Sequence, residues 1–186
     1  MKKYLKVMFG NKSGASNKLE YKIDAVNICD NWNPLANDPK EMGGFNFSTE
    51  DKILRWLIRG DTIYDVIIPE DATVIDCFSE SAPHGVFRTN KIIITNPRKV
   101  TDELAMDLYL KSDLPEKSYY KALAGMAIMG YINTCKRLIN DRINKDNIDL
   151  VLSEIDDFVK PGNDKTRGNI EVYMEVMNIL NKIKSN

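Results

Sequence analysis

The spacing of apolar residues changes period near Pro97, and this change constrains the fold more than any other feature of the chain. Before Pro97, short alternating or wholly apolar runs lie between turn residues, which is the signature of strands. Residues 4–9, 62–68, 74–77 and 86–94 read as strands, the second ended by Pro69 and the last running from Val86-Phe87-Arg88 on through Lys91 to Ile94. One helix interrupts them. Ser48 or Thr49 caps its start, and Glu50 and Asp51 place negative charge in its first turn. Ile53, Leu54, Leu57 and Ile58 form its apolar stripe, and Gly60 ends it.

After Pro97 the spacing is helical. Thr101 caps a helix carrying Leu104, Ala105 and Leu108. Pro115 opens a longer helix whose one face reads Tyr120, Leu123, Ala124, Ala127, Ile128, Tyr131, Cys135, Leu138 and Ile139. Asn147 begins another, with Ile148, Val151, Leu152, Ile155, Phe158 and Val159 as its stripe. A polar turn over 161–168 precedes a last helix from Asn169. The expectation is an α+β fold: a small, mostly antiparallel sheet domain over residues 1–97, then a helical C-terminal subdomain over 98–186. The helical stripes close equally well on the sheet or on a second copy of the chain, so a homo-oligomer stays open. Residues 27–44 are polar and carry Trp32, Pro34, Pro39, Gly43 and Gly44. They read either as a functional loop or as a connection in which Trp32 fills a gap in the core.

Composition narrows the function classes. The 26 basic and 27 acidic residues leave a net charge of -1, so no global field draws the protein to nucleic acid or to an anionic membrane. The apolar runs are a few residues long, against the roughly 20 that a spanning helix needs. The first ten residues read as a strand rather than a secretory leader, whose apolar core needs about 7–15 residues. Cys29, Cys77 and Cys135 are odd in number and widely spaced, without CxxC or Cys/His ligand spacing, and His84 is the sole histidine. Reduced cytoplasmic thiols and no metal site are the expectation. P-loop, GxGxxG, GxSxG, HExxH and EF-hand patterns are absent from the sequence. A nucleophilic triad would rest on His84 alone, with no nucleophile marked for it. Asp156-Asp157 reads as a solvated surface rather than an acid–base pair, and Lys136, Arg137, Arg142 and Lys145 as a solvated face near a helix end.

Residues 43–94 carry a further pattern. Gly44-Phe45-Asn46-Phe47-Ser48-Thr49 leads into the helix from Glu50 to Arg59. Then come Asp61-Thr62-Ile63-Tyr64-Asp65-Val66-Ile67-Ile68-Pro69 and Val86-Phe87-Arg88-Thr89-Asn90-Lys91-Ile92-Ile93-Ile94. This order resembles the core of ADP-ribosyltransferase-like domains and is most similar to the small rifampin-ADP-ribosyltransferase type, over roughly a third of the chain. The resemblance implies a fold holding NAD in a cleft between two small sheets. It also implies a basic group on the first strand, a Ser/Thr bracing the pocket and an acidic residue steadying an oxocarbenium ion. Carried over, Lys6 stands at the first-strand position where the family has His or Arg, Ser48 and Thr49 match the strand-end motif, and Tyr64 matches the aromatic of the next strand. The catalytic candidates are therefore Lys6, Thr49 and Tyr64, and the cofactor-binding candidates Ser48, Thr49 and Arg88. Lysine lacks the guanidinium fork for bidentate phosphate contact. No Glu-x-Glu motif ends the sheet region, where Asp76 and Glu80 are the nearest acidic residues and His84 precedes the Arg88 strand. Each candidate also has a structural reading: Ser48 and Thr49 as a helix cap, Tyr64 as packing, Arg88 and Lys91 as edge-strand charge.

Two functions follow as expectations. A small Asn/Lys/Ile-rich chain with no housekeeping motif is similar to phage and mobile-element proteins, some of which block host defences such as Cas nucleases. That likeness implies a protein-binding inhibitor or regulatory module, needing no cofactor, on a catalytically incomplete ADP-ribosyltransferase-like fold. The alternative is an active NAD-dependent mono-ADP-ribosyltransferase modifying a protein or a nucleic acid. Tyr119, Tyr120, Tyr131 and Tyr173 read either as core or as anchors for a partner.

Overall fold

Among the described residues seven strands and six helical segments follow one another, strands first and helices after as the change of period implies, an α+β arrangement with five α-helices in the C-terminal half. A computed structural model describes residues 2–13, 19–36, 41–77, 84–159 and 168–185. The chain forms two compact units, residues 1–53 with 59–99 and residues 54–58 with 100–186.

The first unit is a single antiparallel sheet. Its strands are β1 (Tyr4–Met8), β2 (Val26–Ile28), β3 (Phe45–Thr49), β4 (Thr62–Ile67), β5 (Val74–Asp76), β6 (Val86–Thr89) and β7 (Lys91–Lys99), in the order β2-β7-β4-β1-β3-β6-β5. The run expected as one strand over 86–94 is thus two strands with Asn90 between them, placed on opposite sides of β1. They can meet end to end only because the sheet folds over at its middle, with the chain turning the corner at Asn90. Between β6 and β7 the ladder with the fewest pairs is β1–β3, which joins only Tyr4 with Thr49 and Leu5 with Ser48; we call this seam the fold-over line. One core cluster lies inside the fold: Met8, Tyr21, Phe45, Phe47, Tyr64, Val66, Ile92 and Ile94, drawn from both halves. Tyr4, Phe47 and Phe87 meet at ring-centroid distances of 5.3–5.8 Å.

Pro97 does not end a strand. It lies inside β7 at a bulge, where Ile63 pairs with Arg98 and Asp65 with Thr95, so β7 carries one residue more than β4. Asn96 takes a positive φ of 51° there, and proline is tolerated in a strand at such a place because no ladder donor is lost. Asp65 grips the bulge by accepting from Asn96 Nδ2 and Arg98. Asn27 and Ile28, expected in a loop, belong to β2 and pair with Ile92 and Lys91. Residues 37–40 lie outside the described residues.

Glu50–Arg59 forms a helix directly after β3, wound as a 3-10 helix. Gly60 then passes so close to the Met8 backbone that a Cβ would lie 2.0 Å from it, which ties the chain back to β1. In the second unit Thr101 caps α1 (Asp102–Lys111) by accepting from Leu104 N–H. The long helix expected after Pro115 is two helices, α2 (Glu116–Met129) and α3 (Ile132–Arg142). Gly130, at φ 91°, accounts for the break, donating back to the Ala127 and Met126 carbonyls in a left-handed helix end. α4 (Ile148–Val159) and α5 (Ile170–Ser185) complete the unit. The turn expected over 161–168 lies, except for Gly168, outside the described residues.

Candidate functional site

The residues with chemical potential gather around the fold-over line. Antiparallel pairing alternates hydrogen-bonded and non-bonded residue pairs. Glu50 N–H donates to Lys3 O, so Leu5 and Ser48 form the next bonded pair, and the same register would place Val7 opposite Asn46. The ladder stops before that point. The Asn46 carbonyl instead accepts from Lys6 Nζ at 2.5 Å. A side chain thus completes the junction that the backbone leaves open.

Lys6 is 9% exposed. It shares the inner face with Tyr4 and Met8 of its own strand, by alternation, and with Tyr64 of β4, by register. Its ammonium lies 5.0 Å from the ring centroid of Tyr21. Burial, and secondarily the like charge of Arg88, lower its pKa from 10.5 to about 7. Burial, then the neighbouring Cys29, hold the Tyr21 phenol well above its usual range. The Cys29 thiol accepts from Gly44 N–H and donates to Asn31 Oδ1, both at 3.0 Å. Trp32 packs against Gly44, where a Cβ would lie 2.4 Å from the indole.

The candidates divide between the two faces. Lys6, Thr49 and Tyr64 share the inner face, because Tyr4 pairs with Thr49 and Lys6 with Tyr64. Their polar ends do not converge: Lys6 reaches Asn46 O, Tyr64 Oη donates to Gly10 O at 3.1 Å, and Thr49 Oγ1 donates to Gly85 O at 3.4 Å. Burial and the Asp61 charge raise the Tyr64 pKa. Burial would raise Asp51, but hydrogen bonds from Thr49 and Lys52 outweigh it and leave the carboxyl below its ordinary value. Ser48 and Arg88 stand on the opposite face, paired with Leu5 and Asn46. Ser48 Oγ donates to Thr49 O at 3.0 Å, and Arg88 Nη1 to Gly43 O at 2.9 Å.

The other chemical features are peripheral. His84 Nδ1 lies 3.1 Å from Asp76 Oδ2 on the exposed side of the sheet unit, while Glu80 falls outside the described residues. Asp156 and Asp157 are exposed. Lys136, Arg137 and Arg142 form ion pairs with Glu175, Asp141 and Glu116. Tyr119, Tyr120, Tyr131 and Tyr173 are buried in the core. Among the described residues no three His, Cys, Asp or Glu side chains form a metal-binding group, and no helix is long and apolar enough to cross a membrane. Tyr21 carries no motif, Cys29 was read only as a reduced thiol, and Asn46 lay within the Gly44–Thr49 pattern without being assigned a role. The usable signal was Lys6 itself, a charge alternating with Tyr4 and Met8 in a strand that is apolar on both faces. No family model, curated protein or solved structure matches the chain.

Proposed function

We propose that this chain is a non-catalytic, protein-binding inhibitor or regulatory module of phage or mobile-element type, working in the cytoplasm against a host defence such as a Cas nuclease. Its scaffold is an ADP-ribosyltransferase-like fold whose chemical positions have been given over to structure. One observation carries this reading. Lys6 and Tyr64 spend their polar ends on different backbone carbonyls, at Asn46 and Gly10, and the Thr49 hydroxyl is taken up between Gly85 O and the Asp51 carboxylate. A transferase needs such groups aimed at one reacting centre, within hydrogen-bond reach of the same substrate. Ser48 and Arg88 face away from them, which separates the two sets that would have to grip one NAD molecule. The three free thiols agree with a reducing compartment. Near-neutral charge favours a protein over nucleic acid as partner.

The transferase reading keeps one specific support. The fold-over of the sheet supplies two facing halves, and the basic residue of the first strand lies between them. Two measurements separate the readings. Purified chain added to reconstituted Cas effector complexes is expected to form a stoichiometric complex by size exclusion and to suppress target cleavage. Calorimetric titration with millimolar NAD is expected to give no heat of binding, and labelled NAD no transfer to protein or nucleic acid. NAD binding with label transfer would install the transferase in its place. Failure to bind any of the effectors, with no transfer, would remove the proposed target class.

A further inference from the structure

The fold-over line is the weakest paired part of the sheet unit and also the place where a charge is buried. Two cross-strand pairs join β1 to β3. On the Lys3 side the register continues through Glu50 N–H to Lys3 O and the Lys3–Glu50 ion pair, and on the Asn46 side the link passes to one side-chain hydrogen bond, from Lys6 Nζ to Asn46 O. The groups facing Lys6 come from every element around it. Asn46 and the Phe45 and Phe47 rings lie on β3, Tyr64 on β4, and Tyr21 over the ammonium with Cys29 beside the phenol; the Arg88 charge acts from β6. The charged group acting on Lys6 is a cation, and the Tyr64 hydroxyl is turned away to Gly10.

We propose that Lys6 is a proton-operated latch on the β1–β3 seam: its neutral amine holds the two strands together through the Asn46 carbonyl, and its protonation opens the seam to water. An ammonium among aromatic rings loses most of its hydration, and one carbonyl with one ring face does not replace it. Opening returns that hydration, at the expense of two backbone pairs and part of the aromatic packing. Short ladders of this kind are where local opening begins. The open form exposes the inner face of both half-sheets, so the latch sets access to the interior of the unit.

The sign follows from the buried amine, whose pKa near 7 in the closed seam returns to 10.5 when the seam is open. Lowering the pH from the alkaline side therefore favours opening progressively down to about pH 7, and the effect levels off below it. The test is hydrogen exchange at the Leu5 and Ser48 amides, expressed as protection factors so that the intrinsic pH dependence of exchange is removed. Protection there is expected to fall about fifty-fold between pH 9 and pH 7 by linkage. Amides of the β4–β7 ladder, which exchange through unfolding of the whole unit, carry the same linkage from a higher protection, so the seam should be the less protected of the two at every pH. Lys6→Met, which keeps the stem and removes the proton, should abolish the fall. NMR of the lysine ε-methylene carbons in the unaltered chain should show one lysine titrating near neutral pH. Seam protection independent of pH, or an equal fall in Lys6→Met, overturns the latch. If Lys6→Met does not fold, the methylene titration decides alone: a Lys6 midpoint above pH 9 overturns it.

Discussion

The two units bury their interiors under opposite rules. In the helical unit α2 is apolar almost all round, and ten of its 14 residues are buried, from Ser118 to Ile128. Its polar groups are handled at helix ends: Asp102 accepts from the N–H groups of Asn133 and Thr134 and from the Thr134 hydroxyl, closing the start of α3. The sheet unit instead buries a titratable amine at the line where its strands part. Apolar burial stabilises a unit at every pH. A buried amine makes stability depend on proton concentration and concentrates that dependence at one place.

The largest effect expected is in the apolar core. Leu123 is fully buried on α2, and Leu123→Ala should lower unfolding free energy by about 2–5 kcal/mol in urea titration, with no dependence on pH between 6 and 9. A pH-dependent loss would break the comparison. Next is the lysine. A folded pKa lowered to about 7 means that the unfolded chain binds the extra proton between there and 10.5, so stability rises with pH across that window. The gain should reach about 3–4 kcal/mol on going from pH 7 to pH 10 and vanish in Lys6→Met. A third test concerns the cap. Asp102→Ala should cost about 1–2 kcal/mol by loss of the hydrogen bonds closing α3. Burial would raise the Asp102 pKa, but the bonds from Thr134 and Asn133 outweigh it and lower it. Its contribution should therefore be present above the ordinary carboxylate pKa and fade as pH falls through the lower, folded value, opposite in sense to Lys6. The smallest effect belongs to the exposed pair Lys136–Glu175, where Lys136→Ala should change stability by less than about 0.5 kcal/mol and by less still in high salt.

Elements whose signal is local were legible without coordinates. The Thr101 cap, the acidic first turn at Glu50 and Asp51, the strands around Leu5 and Tyr64, and the stripe of α4 depend on neighbours within one or two turns. Misreadings arose where a single residue reverses a local trend. Gly130 divides what the apolar spacing alone reads as one helix, since a left-handed residue costs glycine little and any other residue more. Asn90 turns the chain from one half-sheet to the other within a run that is strand-like throughout. Pro97 marked the change of period, with the last strand expected to stop at Ile94; β7 runs on to Lys99 through a bulge at the proline that exists only once β4 is alongside.

The candidate residues follow the same division. Lys6, Thr49 and Tyr64 could be named from the chain, and strand alternation with cross-strand register placed them on one face. Where their polar ends point could not be named. That depends on which carbonyls the fold brings within reach of each side chain, a property of contacts between residues 36 or more positions apart. The sequence by itself determined the α+β class, the succession of a strand-rich and a helical half, and the residue types available for chemistry, because periodicity and caps are short-range physics. Only the tertiary structure decided that the sheet folds over at β1 and β3, and that a lysine completes the junction with its pKa drawn down by burial. Burial and long-range register set both, and neither exists until the chain has closed on itself.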